Sequence, residues 1–251
     1  MTSIVRINKS DVEYISFPKS KKLFEEYNYF IFNQGHNLSC SVTAAISMIE
    51  YLRQREGKKC QKFSVGFLYH NALVDENQDN KDNKGVIKSK SLSATTVIRS
   101  LFEKGSCLQE KWSSSNLIEI EPSHDAIIDA LSRIKHSNIE ILDVDILTIK
   151  YIIGFCDRPI VGIYEMDDIS EFSYANSKNI IGLNQVSENV NDMKVKHSIL
   201  LVGYDDDERV IYIQNSYGES WGNSGFGRIS YDSLFKLKLL YSMDESCLKS
   251  L

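Results

Sequence analysis

Apolar residues recur at helical spacing over residues 39–55, where Val42, Ala45, Ile46, Ile49 and Leu52 fall on one face. Ser39 stands where a cap would start that helix and Gly57 where its end is expected. The same periodicity predicts helices over 64–73, over 93–104 with Gly105 at its end, over 123–135, and a short one over 145–155. A polar loop rich in lysine, asparagine and aspartate is expected from 75 to 91. The pattern then turns β-like, with the apolar, β-branched runs PIVGIY, HSILLVGY, RVIYIQNS and FGRISY. HSILLVGY and RVIYIQNS, joined by residues 205–208, read as a hairpin. A helical first half and a stranded second half predict an α+β fold in a single domain over 1–251. It divides near 113–120 into a helical lobe (34–115) and a β-rich lobe (116–235). Residues 1–33 read as an extended arm and 236–251 as a tail.

Composition narrows the picture by exclusion. A chain of 251 residues, 42% hydrophobic and 25% charged, can bury one large core or two that share an interface. A net charge of −5 with scattered lysines argues against a nucleic-acid groove. No apolar run reaches membrane-spanning length, and the charged N-terminus does not read as a signal peptide. The expected location is therefore intracellular and cytoplasmic, with no membrane partner. Five cysteines, odd in number and widely spaced, fit neither a disulfide framework nor a structural metal site. No metal and no cofactor are expected.

Candidate chemistry starts at Cys40, at or next to the first turn of the longest expected helix. There the helix dipole and free backbone N–H groups favour a thiolate. Gln34 lies six residues earlier, across a turn that contains Gly35, so its amide could join a backbone N–H in binding an oxyanion. His197 opens the apolar strand after a long polar loop, and Asn215 lies near the end of the strand expected to pair with it. Hairpin pairing would bring the two together, with the amide oxygen on Nδ1–H and Nε2 left facing the thiol. Other candidates are weaker. Residues 205–208 lack calcium-loop spacing and read as a solvated turn. His36, His70, His124 and His136 have no distinguishing partners in the sequence, and no phosphate loop or dinucleotide fingerprint is present.

The three blocks QGxxxSC, HxxxxVGY and NSYGxxWGxxGFGRI, in that order, resemble the signature of the papain-like cysteine peptidase family, over roughly residues 30–235. The helical segments between them resemble a compact, bacterial-style branch without a long prosegment. The resemblance implies two lobes, one helical and one antiparallel and barrel-like, with the site in the cleft between them. It implies Cys40, His197 and Asn215 as the catalytic set, with Gln34 and the Cys40 N–H as the oxyanion hole. Tyr217 and Trp221 would then shield the site, and the substrate would be a peptide or protein. The sequence departs from the family pattern at Ser41, where tryptophan often follows the nucleophile, and at Asn37, where a disulfide cysteine is common. Ser91-Leu92 stand where paired substrate-binding glycines are expected, and Lys196 precedes the histidine.

Two other functions fit the same blocks: a papain-like lobe pair that binds peptide without cutting it, and an acyl-transfer or deamidation enzyme. Loops over 75–91 and 167–196 are expected to border the cleft from opposite lobes. A lysine- and asparagine-rich chain with 3 prolines would suit an AT-rich genome, such as that of a large virus or a parasite. Oligomeric state is not legible in the sequence.

Overall fold

A computed structural model describes residues 4–35, 38–79, 91–113, 121–133, 138–167, 172, 180–181 and 194–243. His36, Asn37, His136, Cys247, all but residue 113 of the lobe division expected near 113–120, and most of the two long loops lie outside the described residues.

The longest helix, α1 (Cys40–Arg55), is buried on nearly every side from Cys40 to Met48. Small residues (Ser41, Ala44, Ala45, Ser47) alternate there with Val42, Ile46 and Met48, which lets the helix sit between other layers. Ser39 stands at its start as expected, but its side chain does not cap. Its carbonyl instead accepts the Thr43 N–H at 2.9 Å, opening the helical ladder. The next helix, α2 (Val65–Asp79), runs past the residue at which the sequence pattern ends it. Its acidic residues have partners on α3 (Ala94–Lys104): Lys104 pairs with Asp75 and the Thr96 hydroxyl donates to Glu76. Ser93 caps α3 by accepting the Thr96 N–H at 3.0 Å. The helix expected over 123–135 is α4 (His124–Ser132), and α5 (Ile146–Lys150) continues into a π-helical turn at Tyr151–Phe155.

The strands form one sheet. Among the described residues they are β1 (Ile4–Ile7), β2 (Ser20–Lys22), β3 (Ile139–Leu142), β4 (Ile160–Met166), β5 (Val195–Asp205), β6 (Val210–Gln214), β7 (Phe226–Ser230) and β8 (Leu237–Met243), in the order β1-β3-β8-β4-β5-β6-β7. All neighbours are antiparallel except β1 with β3. The longest strand, β5, is the axis of the site. Ile199, Leu200, Leu201 and Val202 are all buried, since α1 covers the sheet there. That explains an unbroken apolar run where a half-exposed strand would alternate. The expected hairpin is β5–β6. Asp205 Oδ1 holds its turn by accepting the N–H groups of Asp207 and Glu208 at 3.0 and 2.9 Å.

Both chain ends differ from the expectation. The 1–33 segment is woven into the sheet: β1 lies beside β3, and β2 takes the β5 edge at Gly203–Asp205, beyond the stretch paired with β4. The stretch read as a tail contains β8, an interior strand between β3 and β4. A buried ion pair anchors this side: Arg158 meets Glu140 at 2.8 Å and donates to the Met243 carbonyl at 2.7 Å.

Gly203 is where β2 and β5 touch most closely, and a Cβ there would stand 2.6 Å from the Lys21 carbonyl oxygen. Gly203→Ala is expected to push β2 off the edge and cost about 1–3 kcal/mol. A thermal melt should show a drop of roughly 2–10 °C. An unchanged melting temperature would mean that β2 contributes nothing to holding the sheet.

Candidate active site

Three segments meet at the N-terminus of α1. Cys40 is the first residue of that helix, His197 the third residue of β5, and Asn215 follows β6 directly. All three are buried. A strand crossing anchors the fourth participant: Gln34 N–H donates to the Ser216 carbonyl at 2.8 Å, and Gly218 N–H to the Phe32 carbonyl at 3.0 Å. Gly218 sits at φ +83°, and a side chain there would crowd Asn33, so the turn that delivers Asn215 requires glycine. The Ser216 hydroxyl donates to Gln34 Oε1, which fixes which end of that amide is the acceptor.

The Asn215 side chain meets His197 at Nε2, 2.7 Å from Oδ1. The same oxygen accepts the Ser216 N–H at 2.8 Å, so it is the acceptor and Nε2 carries the proton. The sequence reading put this bond on Nδ1. The structure reverses the two ring nitrogens: Nε2 is committed to Asn215, which leaves Nδ1 as the nitrogen available to the Cys40 thiol. Tyr217 covers the ring at 4.9 Å between centroids, and Trp221 stands edge-on to Tyr217 at 6.2 Å.

The cysteines differ sharply in their surroundings. Burial pushes the Cys40 thiol up, but a hydrogen bond and the charge of His197, with further bonds from Ser198, outweigh it and bring the thiol down to about 7. For Cys107, burial dominates and the Asp129 carboxylate adds to it; the Arg133 charge and a Ser64 hydrogen bond do not offset them, and the thiol rises to about 12. Cys60 is also raised, first by burial and then by Glu50. None of the described cysteines is in a disulfide.

Two contributors escaped the sequence reading. Phe172, from the loop over 167–196, packs edge-on against His197 at 5.4 Å and stacks on Trp221 at 6.0 Å. Its carbonyl accepts the Trp221 indole N–H at 2.6 Å. The sequence makes that loop a rim of the cleft, but nothing in it distinguishes Phe172 from its neighbours. Ser198, next to His197, is the other, and its hydroxyl lies 2.8 Å from that of Ser41. Leu92, in the place of the expected glycines, accepts from Ser41 Oγ at 3.3 Å. Of the remaining histidines, His70 lies 3.5 Å from Glu121 and beside Trp112, in a separate cluster, and His124 begins α4. Among the described residues, no group of three or more His, Cys, Asp or Glu side chains could hold a metal ion. No helix among them is long and apolar enough to cross a membrane.

The model of the papain family cysteine proteases matches residues 166–240, the span that carries His197 and Asn215. Among curated protein sequences nothing matches. Solved structures align over almost the whole chain. Xylellain, a cysteine protease from Xylella fastidiosa, is 18% identical, covering 96% of this chain and 89% of its own at a TM-score of 0.73. A Carica candamarcensis cysteine protease in complex with E-64 is 14% identical over 90% of this chain and 98% of its own, at 0.64. Digestive procathepsin L 3 of Tenebrio molitor is 13% identical over 96% and 75%, at 0.67. The chain therefore has the fold of these papain-like structures along nearly its whole length, and residues 166–240 match the papain family cysteine proteases.

Proposed function

We propose that the chain hydrolyses peptide bonds through a Cys40–His197–Asn215 site and a thioester intermediate. The observation that carries this reading is the meeting of three buried side chains at the start of α1, Cys40, His197 and Asn215, with His197 Nε2 held 2.7 Å from Asn215 Oδ1. His197 in turn lowers the Cys40 thiol to about 7 against its own burial. A structural cysteine in a packed helix end has no reason to face an oriented imidazole. In the proposed cycle, His197 takes the thiol proton at Nδ1 while Asn215 holds Nε2–H. The thiolate attacks the peptide carbonyl, and the carbonyl oxygen becomes an oxyanion facing the Cys40 N–H and the Gln34 amide. His197 then protonates the departing amine. In the second half it removes a proton from water, which attacks the thioester and regenerates the thiol. Tyr217, Phe172 and Trp221 keep water from competing for the His197–Asn215 bond. Substrate is a peptide or protein.

Mass spectrometry of products tests the reaction class. New termini support peptidase action, an intact substrate supports a binding protein, and a mass change without cleavage supports transfer or deamidation.

Thiol reactivity should rank the cysteines. The thiolate fraction of Cys40 rises as pH rises through about 7, whereas Cys107 stays protonated until about 12. Brief iodoacetamide treatment near neutrality, followed by peptide mapping, should therefore label Cys40 first. An epoxysuccinyl thiol-protease probe should modify the same residue, and E-64, with which the Carica enzyme is complexed, should protect it from iodoacetamide. Comparable labelling of Cys60 or Cys107 in the folded protein would remove the basis for the proposal.

Asn215 takes no part in bond making, so its loss should cost less than loss of the nucleophile. Asn215→Ala is expected to slow turnover roughly ten- to hundredfold, about 1.4–3 kcal/mol. Cys40→Ala should abolish it. Steady-state kinetics on a peptide substrate checks both, and unchanged turnover in Asn215→Ala would show that another group orients His197.

A further inference from the structure

Two contacts fix the direction in which α1 runs past β5. Ser41, in the first turn of α1, meets Ser198 of β5 with 2.8 Å between the hydroxyl oxygens. Further along α1, the Ser47 hydroxyl lies 3.4 Å from the amide nitrogen of Gln214, and Gln214 stands opposite Leu200. Ser198 and Leu200 share one face of β5, so helix and strand advance together. Lys196 is the next residue of that face in the other direction, roughly 7 Å back from Ser198. That step passes the start of α1, where Cys40 is the first residue. Burial changes at the same point: Ser198 and His197 are buried, whereas Lys196 is exposed. Lys196 therefore stands at the open end of the site, in front of the helix and next to His197.

Its charge is unmatched. Glu165 on β4 lies directly opposite Lys196 in the ladder. The Glu165 carboxylate is already shared between Lys194 at 3.4 Å and Lys238 at 3.5 Å. Asp167, the next carboxylate along the chain, is engaged by Lys236 at 3.4 Å. Among the described residues no carboxylate pairs with Lys196. Its ammonium and the positive end of the α1 dipole act on the same space with the same sign. A substrate side chain entering there is favoured if it carries a carboxylate and opposed if it carries a cation. The proposed reaction says which side chain that is. His197 protonates the departing amine, so the residue that bears this amine lies on the His197 side of the cut, beside Lys196.

We propose that Lys196 is a specificity-determining residue, which selects substrates with Asp or Glu immediately after the scissile bond and disfavours Lys or Arg there. The selection rests on the peptidase reading of the Cys40 site. Lys196 takes no part in bond making, so its effect is on where cuts fall.

The test gives the full chain a peptide library of mixed sequence and reads the residues flanking each cut by mass spectrometry. Asp and Glu should be enriched about two- to fivefold at the first position after the cut, with Lys and Arg depleted to a similar degree. Lys196→Gln should flatten this preference and Lys196→Glu should invert it. Lys19→Glu makes the same change of charge at an exposed lysine ahead of β2 and should keep the wild-type order. Cuts without a charge preference at that position overturn the role of Lys196 and leave the peptidase reading standing. So does an acidic preference that survives in Lys196→Glu, or one found only before the cut. Inversion by Lys19→Glu as large as that by Lys196→Glu also overturns it, because the net charge of the chain would then set the preference. A library left uncut, with Cys40 labelled no faster than Cys60, removes the peptidase reading and the role of Lys196 with it.

Discussion

The site depends on the antiparallel register between β5 and β6. Leu200 faces Gln214 across that pair. Carrying the register one residue further sets Asn215 opposite Ile199, and His197 lies two residues along β5 from Ile199. Residues two apart on a strand share a face, so the imidazole and the amide lie diagonally on the same side of the sheet. A diagonal neighbour is within reach of a histidine ring, and the bond closes at 2.7 Å. A one-residue slip would send Asn215 to the opposite face. Register is held by burial on both sides of β5 and by the Gln214 amide, which donates to the Phe30 carbonyl at 3.0 Å.

The helix supplies the other half of the geometry, and its sequence explains how it can. Short side chains in α1 allow it to lie close against β5, and Ser41 bridges to Ser198 where the two elements meet. A tryptophan at position 41 would need far more room than two hydroxyls 2.8 Å apart allow. The exchange of a bulky apolar side chain for a buried hydroxyl also changes the surroundings of the sulfur. An apolar wall only raises a thiol pKa through desolvation, whereas a hydroxyl partly replaces the lost water.

The sequence made the candidate site more legible than its frame. Cys40, His197 and Asn215 each sit in a short contiguous block whose local pattern is visible, and hairpin pairing between neighbouring strands follows from a turn of a few residues. The frame is non-local. Strand β1 has four residues and pairs with residues 139–142, and β2 has three that pair with 203–205. Segments so short carry too few positions for alternation to register, and their partners lie more than a hundred residues away. The interior strand β8 follows a short 3₁₀ turn, and its LKLLYSM run mixes both periodicities. The extension of α2 was hidden because Asp75 and Glu76 read as loop until α3 supplies Lys104 and Thr96. The ring-nitrogen assignment failed for a different reason: sequence places a histidine near an asparagine but does not orient the ring.

The same logic explains why one cysteine among several is singled out. Cys40 and Cys107 are both buried small thiols, and burial alone raises both. What separates about 7 from about 12 is not exposure but which charges and donors face the sulfur. Cys107 has the Asp129 carboxylate near it, which opposes ionisation and outweighs the Arg133 charge. Cys40 faces an imidazole whose far nitrogen is already committed to Asn215, so the near nitrogen is the one available to the thiol proton. The asparagine therefore acts on the sulfur without touching it. By fixing one end of the ring it determines what the other end can do, and the strand register that places the asparagine sets the chemistry of the helix residue across the interface.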